Sequence, residues 1–180
     1  MERITYRPAR VDDYKSIARL HTRSWQENYR GSFSDHFLDR EALTDRMSVW
    51  EERLSHPAPN QLLWVALQKE TLCGFACAFI DEDAHYGTLL DNLHVSSTAI
   101  GKGIGPQLIS RIVMDIKASV ASSTMYLWVL EHNLDALRFY KRLGGVVVET
   151  VTGHDIGDRE VRKTRVVWDS LVALEVREMK

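Results

Sequence analysis

Three glycines at alternate positions, in Ile100-Gly101-Lys102-Gly103-Ile104-Gly105-Pro106, follow the apolar run that ends in Leu93-His94-Val95. The chemistry this pattern offers is anion binding. Glycines let the backbone come close to a ligand, and the first amides of a helix opening at Gly105 are unpaired donors at the positive end of its dipole. A phosphate group is the natural guest, whether of a dinucleotide, a nucleoside triphosphate or a coenzyme. The spacing departs from G-x-G-x-x-G, and the loop begins near residue 100, after three strands, so a dinucleotide loop of the Rossmann kind is a poor match. No G-x-x-x-x-G-K-[ST] can be written here, which sets aside a Walker loop and the kinase and NTPase chemistry it serves. A second constellation, Asn133-Leu134-Asp135-Ala136-Leu137-Arg138-Phe139-Tyr140-Lys141-Arg142-Leu143-Gly144-Gly145, lies further along the chain.

The elements that position these residues are legible from periodicity and punctuation. A strand at Ile4-Thr5-Tyr6 ends at Pro8, and Asp12 or Asp13 is placed to cap the next helix, with Val11 as a hydrophobic staple. Tyr14, Ile17, Ala18, His21 and Trp25 form one apolar stripe, and Gly31 ends that helix. A second helical region, broken into pieces, spans 34–54 with Leu43, Met47, Trp50 and Leu54 as its stripe, and stops at His56-Pro57. Residues 62–67 and 72–80 read as a hairpin around Gln68-Lys69-Glu70-Thr71, and Asp81-Glu82-Asp83 as the next exposed turn. Residues 88–95 form the strand entering the glycine loop and 105–118 the helix leaving it. A fifth strand at 125–130, a short helix at 133–143 closed by Gly144-Gly145, and strands at 146–151 and 161–168 complete the chain. The order β-α-α-β-β-β-α-β-α-β-β predicts an α/β fold, a mixed sheet with helices on both faces. A ligand crevice is expected at the carboxyl end of the strand before the glycine loop.

Composition narrows the setting. With 180 residues, 44% of them hydrophobic, the chain is long enough for one well-buried domain, read as spanning 1–180. Lys and Arg total 23 against 25 Asp and Glu, so there is no basic footprint for nucleic acid. Strand spacing would hold Cys73 and Cys77 roughly 13 Å apart, beyond disulfide reach, which suits small core residues in a reducing compartment. No apolar run approaches the roughly 18 residues of a membrane span, and the first eight residues lack a signal peptide's apolar centre. A soluble cytoplasmic protein, with no membrane or nucleic-acid partner and no metal, is expected.

Together, the glycine loop and the Asn133 to Gly145 segment resemble the GNAT superfamily of acyl-CoA-dependent N-acyltransferases. The first is similar to the family's motif A, a strand ending L-x-V followed by [QR]-x-x-G-x-[GA]; the second is similar to motif B, N-x-x-A-x-x-F-Y-x-x-x-G. The resemblance covers essentially the whole chain and implies a single GNAT-like domain with a mixed, mostly antiparallel sheet of about seven strands. It implies acetyl-CoA as cosubstrate. The backbone of Leu93, His94 and Val95 would then bind the pantetheine arm as an added strand. Amides from Gly101, Lys102, Gly103, Ile104 and Gly105 would cradle the pyrophosphate, with the Lys102 side chain over its charge and Asn133 as a polar anchor. Tyr140 would protonate the departing thiolate, since a phenol of pKa about 10 holds its proton at pH 7. Ile100 stands where the motif has Gln or Arg, and Pro106 removes one amide, so weaker coenzyme affinity is expected.

On the acceptor side, the family's frequent glutamate base falls on Leu89. Asp91 shares its parity with Leu89 and Leu93 and is expected on their face, as the base or as the carboxylate that orders a water and attracts the amine. His94 would point the other way. His21-Thr22-Arg23-Ser24-Trp25-Gln26-Glu27-Asn28-Tyr29-Arg30-Gly31 resembles H-x-x-S-W-x-x-x-Y-x-G, a pattern of one bacterial branch of the family. It implies an acceptor roof in which Trp25 and Tyr29 form an aromatic wall and Glu27 supplies negative charge. The resemblance thus points to acetyl transfer onto an amine of a small molecule or polyamine. The alternative is a coenzyme-binding sensor or interaction module without catalysis, and O-acyl transfer stays open. A homodimer through exposed strand edges is a further expectation.

Overall fold

Two apolar surfaces on a single sheet organise the chain. The computed structural model describes residues 3–119, 123–154 and 157–174. In order, the elements are β1 (Ile4–Pro8), α1 (Tyr14–Asn28), α2 (Ala42–Ser55), β2 (Gln61–Gln68), β3 (Thr71–Asp83), β4 (Gly87–Val95), α3 (Ile104–Ala118), β5 (Met125–Leu130), α4 (Leu134–Arg142), β6 (Val146–Gly153) and β7 (Val161–Trp168). The seven strands lie in the order β1-β2-β3-β4-β5-β7-β6. Every neighbouring pair is antiparallel except β4 and β5, which are parallel. Among the described residues, no helix is long and apolar enough to cross a membrane.

One face of the sheet packs α1 and α2. Ile17, Ala18 and Trp50 meet Val65, Phe75 and Cys77 there. The other face packs α3 and α4: Ile104, Leu108, Ile109, Ile112, Val113 and Ile116 are buried against Ala76, Ala78 and Leu90. Each such side chain contributes about 1.5–3 kcal/mol of burial, so the strip clamps α3 to the sheet and fixes where its first turn sits. Gly74 makes the close approach possible, because a Cβ there would lie 2.9 Å from Ile104 Cγ2. Cys73 and Cys77 are buried and unpaired.

Several local expectations are corrected. Asp13 stands just before α1, but its side chain makes no capping bond to that helix. It ends a 3-10 turn, where its carboxylate takes two bonds from Arg7 (2.7 and 2.8 Å) and the Arg10 N–H (2.6 Å), tying β1 to the helix start. Val11 is exposed rather than stapled. The second helical region is broken as expected, by a π turn at Phe37–Glu41. Met47, Trp50 and Leu54 of the expected stripe pack against the sheet, whereas Leu43 faces solvent and Ala42 is buried beside it. Asp81, Glu82 and Asp83 belong to β3, not to a turn. The β2–β3 hairpin turns on Lys69 and Glu70, both at positive φ (+47° and +61°), the backbone a two-residue hairpin needs.

Two features of β4 shape the space beside it. Against β3 the register runs Cys77 to Asn92 and then Ala78 to Leu90, so Asp91 is an extra, bulged residue. The bulge reverses alternation: Leu90 and Leu93 both face the α3 side. The inference that Asp91 and Leu93 share a face therefore fails. Toward β5, β4 pairs only at Thr88 with Met125 and Leu89 with Tyr126. Beyond Leu89 the two parallel strands diverge, and among the described residues one backbone edge of β4 is left without a strand partner.

Candidate active site

The divergence of β4 and β5 opens a cleft of about 920 Å³. Its lining includes the unpaired ends of both strands, the first turn of α3, the exposed face of α4, and residues of α1 and α2. The crevice thus lies where the strand order and the glycine loop predict it.

At one end stands the glycine loop. Gly101 and Gly103 have φ of +83° and +74°, a left-handed backbone that other residues adopt only at a cost of roughly 1–2 kcal/mol. A Cβ on either would meet nothing within 4 Å, so both present bare backbone to open space. Gly103 is the N-cap of α3, and the helix ladder opens with the bond from Gln107 N–H to Gly103 O (3.3 Å). The amides of Ile104 and Gly105 consequently have no intrahelical acceptor, and Pro106 has no N–H to offer. Ile100 is 71% exposed. Gly101, Gly103, Ile104, Gly105 and Ile100 line the cleft, whereas Lys102 does not; its Nζ donates to Gln68 Oε1 at 3.2 Å. Arg138 and Arg142 line this region from α4.

Leu93, His94 and Val95 line the divergent strand. Their unpaired N–H and C=O groups suit a peptide-like guest, as in strand addition. Asn133 caps α4, its Oδ1 accepting the Ala136 N–H at 3.1 Å. That bond explains the residue structurally and leaves its amide nitrogen for a ligand.

Tyr140 reaches the cleft from α4 with its ring edge-on to Phe139 and Trp168. Burial, with a smaller contribution from the neighbouring Tyr29, pushes its phenol well above the ordinary value. Tyr29 is itself pushed up to about 12 by burial. Both phenols therefore remain protonated donors at any working pH. Full proton transfer from so weak an acid to a thiolate of pKa about 8.5 runs uphill, so Tyr140 is suited to donate a hydrogen bond to charge developing on sulfur.

The opposite flank differs from the expected roof. Trp25 and Tyr29 do stack (5.9 Å between centroids, 23° between planes), with Trp25 4% exposed. Glu27 lies outside the cleft lining, its Oε1 accepting the Ser97 hydroxyl at 3.2 Å. Asp91 lines the cleft, but its Oδ2 is already taken by Arg53 Nη1 (2.6 Å) and by Asn92 Nδ2. Four further residues line this flank: His21 and Ser24, which belong to the roof pattern without an assigned role, and Arg46 and Arg53, which escaped the sequence reading. His94 Nδ1 lies 2.8 Å from Ser24 Oγ, and its ring is 4.4 Å from that of His21. His21 Nδ1 accepts the Trp50 indole N–H (3.0 Å), which fixes its neutral tautomer with the proton on Nε2. Burial and the charge of Arg46 push His94 down to about 4. Burial, His94, Arg46 and Arg53 hold His21 well below its ordinary value. The only signal for the arginines was their spacing, since Arg46, Val49 and Arg53 fall at i, i+3 and i+7 on one face of α2.

Residues 15–145 match the family model described as the Acetyltransferase (GNAT) family. No curated protein matches the chain by sequence. Among solved structures it is similar to a GCN5-related N-acetyltransferase from Rhodopseudomonas palustris (TM-score 0.72, 21% identity, 93% of this chain and 96% of that one). It is also similar to the paia N-acetyltransferase of Thermoplasma acidophilum in complex with coenzyme A (0.65, 19%, 90% and 98%). A third is Arabidopsis thaliana NAA60 in complex with acetyl-CoA (0.65, 21%, 92% and 98%).

Proposed function

The chain belongs to the GNAT acetyltransferase family, and from that premise we propose that it moves the acetyl group of acetyl-CoA directly onto the amine of a small molecule, with both substrates in the cleft together. The observation that carries this reading is the continuity of three features along one cleft: an unpaired strand edge, a left-handed glycine loop at a helix start, and a protonated buried phenol between that loop and an aromatic wall. The free edge of Leu93, His94 and Val95 matches the amides of a pantetheine arm, and residues 101–105 supply donors for the pyrophosphate. Coenzyme-bound relatives of the same fold support this donor.

In the transfer, the acceptor nitrogen bonds to the acetyl carbon as the carbon–sulfur bond breaks. Tyr140 donates a hydrogen bond to the sulfur that departs. The proton lost from nitrogen passes to Asp91 Oδ1, or to a water that this carboxylate orders. Trp25 and Tyr29 hold the acceptor in line. Arg46 on the same flank disfavours a polyamine, whose second cationic group would meet it, so a compact amine is the better fit. The buried free thiols Cys73 and Cys77 suit a reducing, cytoplasmic setting.

The test is thiol release from acetyl-CoA over a panel of small amines, with wild type and Tyr140→Phe. The variant is expected to lose about 10²–10³-fold in kcat while retaining coenzyme affinity. Tight coenzyme binding by the wild type without turnover on any amine would replace this reading with a non-catalytic coenzyme-binding module.

A further inference from the structure

We infer that the amine acetylated in this cleft carries a carboxylate, as a free amino acid does, and that Arg46 receives it. The inference rests on the acetyl-transfer reading and adds the chemical class of the acceptor.

Arg46 is a guanidinium built to face a ligand. Asp45 holds its Nε and Nη2 at 2.8 and 2.6 Å. Asp45 itself is not part of the cleft lining, so the anchor grips Arg46 from outside the site. The Trp25 ring lies 4.5 Å from the guanidinium carbon and fixes the remaining freedom of the group. Nη1 is left with no partner among the described residues, on a side chain only 17% exposed that lines the cleft. A cation so ordered, with donors to spare, favours an anion over water because little freedom is lost on binding.

The rest of the flank sharpens the choice. Arg53 differs from Arg46 in having its charge matched inside the cleft by Asp91 at 2.6 Å. The two histidines add no charge at neutral pH. The carboxylates that line the cleft are already matched, Asp91 by Arg53 and Asp135 by Arg138, so the guanidinium edge of Arg46 is answered by none of them. An acceptor that carries its own carboxylate answers it. A simple alkylamine leaves Arg46 unanswered.

Matched pairs test this: L-amino acids against their own amides, which keep the amine and side chain and lose only the carboxylate. Each pair is titrated into the protein saturated with coenzyme A, and each is assayed for thiol release from acetyl-CoA. The wild type is expected to favour the acid by about tenfold to hundredfold in affinity and in kcat/KM. The amide has the less basic amine and would otherwise have the advantage at neutral pH. Arg46→Gln should bring acid and amide within about twofold of each other through KM, and Arg46→Lys should restore part of the difference because charge persists without the fork. Equal treatment of acid and amide by the wild type, or a preference that survives Arg46→Gln, overturns the inference. Turnover of amides and simple amines as fast as acids leaves acetyl transfer standing and removes the carboxylate. Arg46-dependent binding of acids with no thiol release from any amine keeps the subsite and removes acetyl transfer.

Discussion

The glycine-loop end of the cleft is made chiefly of main chain, at residues 101–105 and along the free edge of β4, with Arg138 and Arg142 beside it, whereas the Trp25 end is made of side chains delivered by α1, α2 and β4. Main chain recognises the invariant parts of a ligand, its phosphates and amides, and tolerates changes in side chain so long as φ is respected. The side-chain end depends on who stands where. Three of its side chains, Arg46, His94 and Asp91, are held by separate partners: Asp45, Ser24 and Arg53. The two ends of one cleft are therefore expected to respond to mutation in opposite ways.

The sharpest way to break that comparison is at Gly103. Gly103→Val puts a β-branched side chain at φ +74° and fills the open space before α3. The expected cost is about 1–2 kcal/mol of stability from the backbone, with roughly tenfold or greater loss of acetyl-CoA affinity, read by thermal denaturation and calorimetry. Unchanged affinity would mean that main chain at this loop does not hold the coenzyme.

The second concerns the side-chain end and pH. His94 is held near 4 when folded and returns to about 6.5 when unfolded. Between those values the unfolded chain binds the extra proton, so stability is present above pH 6.5 and is lost as pH falls toward 4. The contribution is on the order of 1–2 kcal/mol once partial access to the cleft is allowed for. Denaturant titrations of His94→Gln should therefore show a shallower decline over this window than wild type. Parallel curves would remove the imidazole from the balance.

The smallest effect tests tolerance at the main-chain end. Ile100 stands exposed beside the loop, and Ile100→Arg should tighten coenzyme binding only a few-fold, an effect weakened by salt. A hundredfold gain would show that side chains, not backbone, dominate there.

The same division explains which features were legible in the sequence. Glycines, caps and a motif tyrosine announce themselves locally, so the loop, Asn133 and Tyr140 stood out, and the strand order followed from periodicity. The opposite flank depends on side chains of α2 that the stripe does not mark. Leu43, just past the π turn at Phe37–Glu41, lies outside, and Arg46 and Arg53 resemble the ordinary charged face of a helix. Glu27 was assigned to the roof from its position beside Trp25, but it turns to Ser97 instead. Asp91 was placed by alternation, which holds only in a strand without an extra residue.

That extra residue acts on β4 as a shift of reading frame acts on a message. Leu90, before it, and Leu93 and Val95, after it, are all read as apolar on the α3 side, although no uninterrupted strand could present them together. Straightening the bulge with every residue kept would exchange the meaning of every position downstream: Asn92 and His94 would be driven into the hydrocarbon around Ile104 and Leu108, and Leu93 would be pushed toward His21. Deleting Asp91 would instead restore a regular period with Leu93 and Val95 still on the α3 side. A single irregular step in the backbone thus lets one short strand keep its apolar side chains on α3 through two phases, the first half in one and the second half in the other.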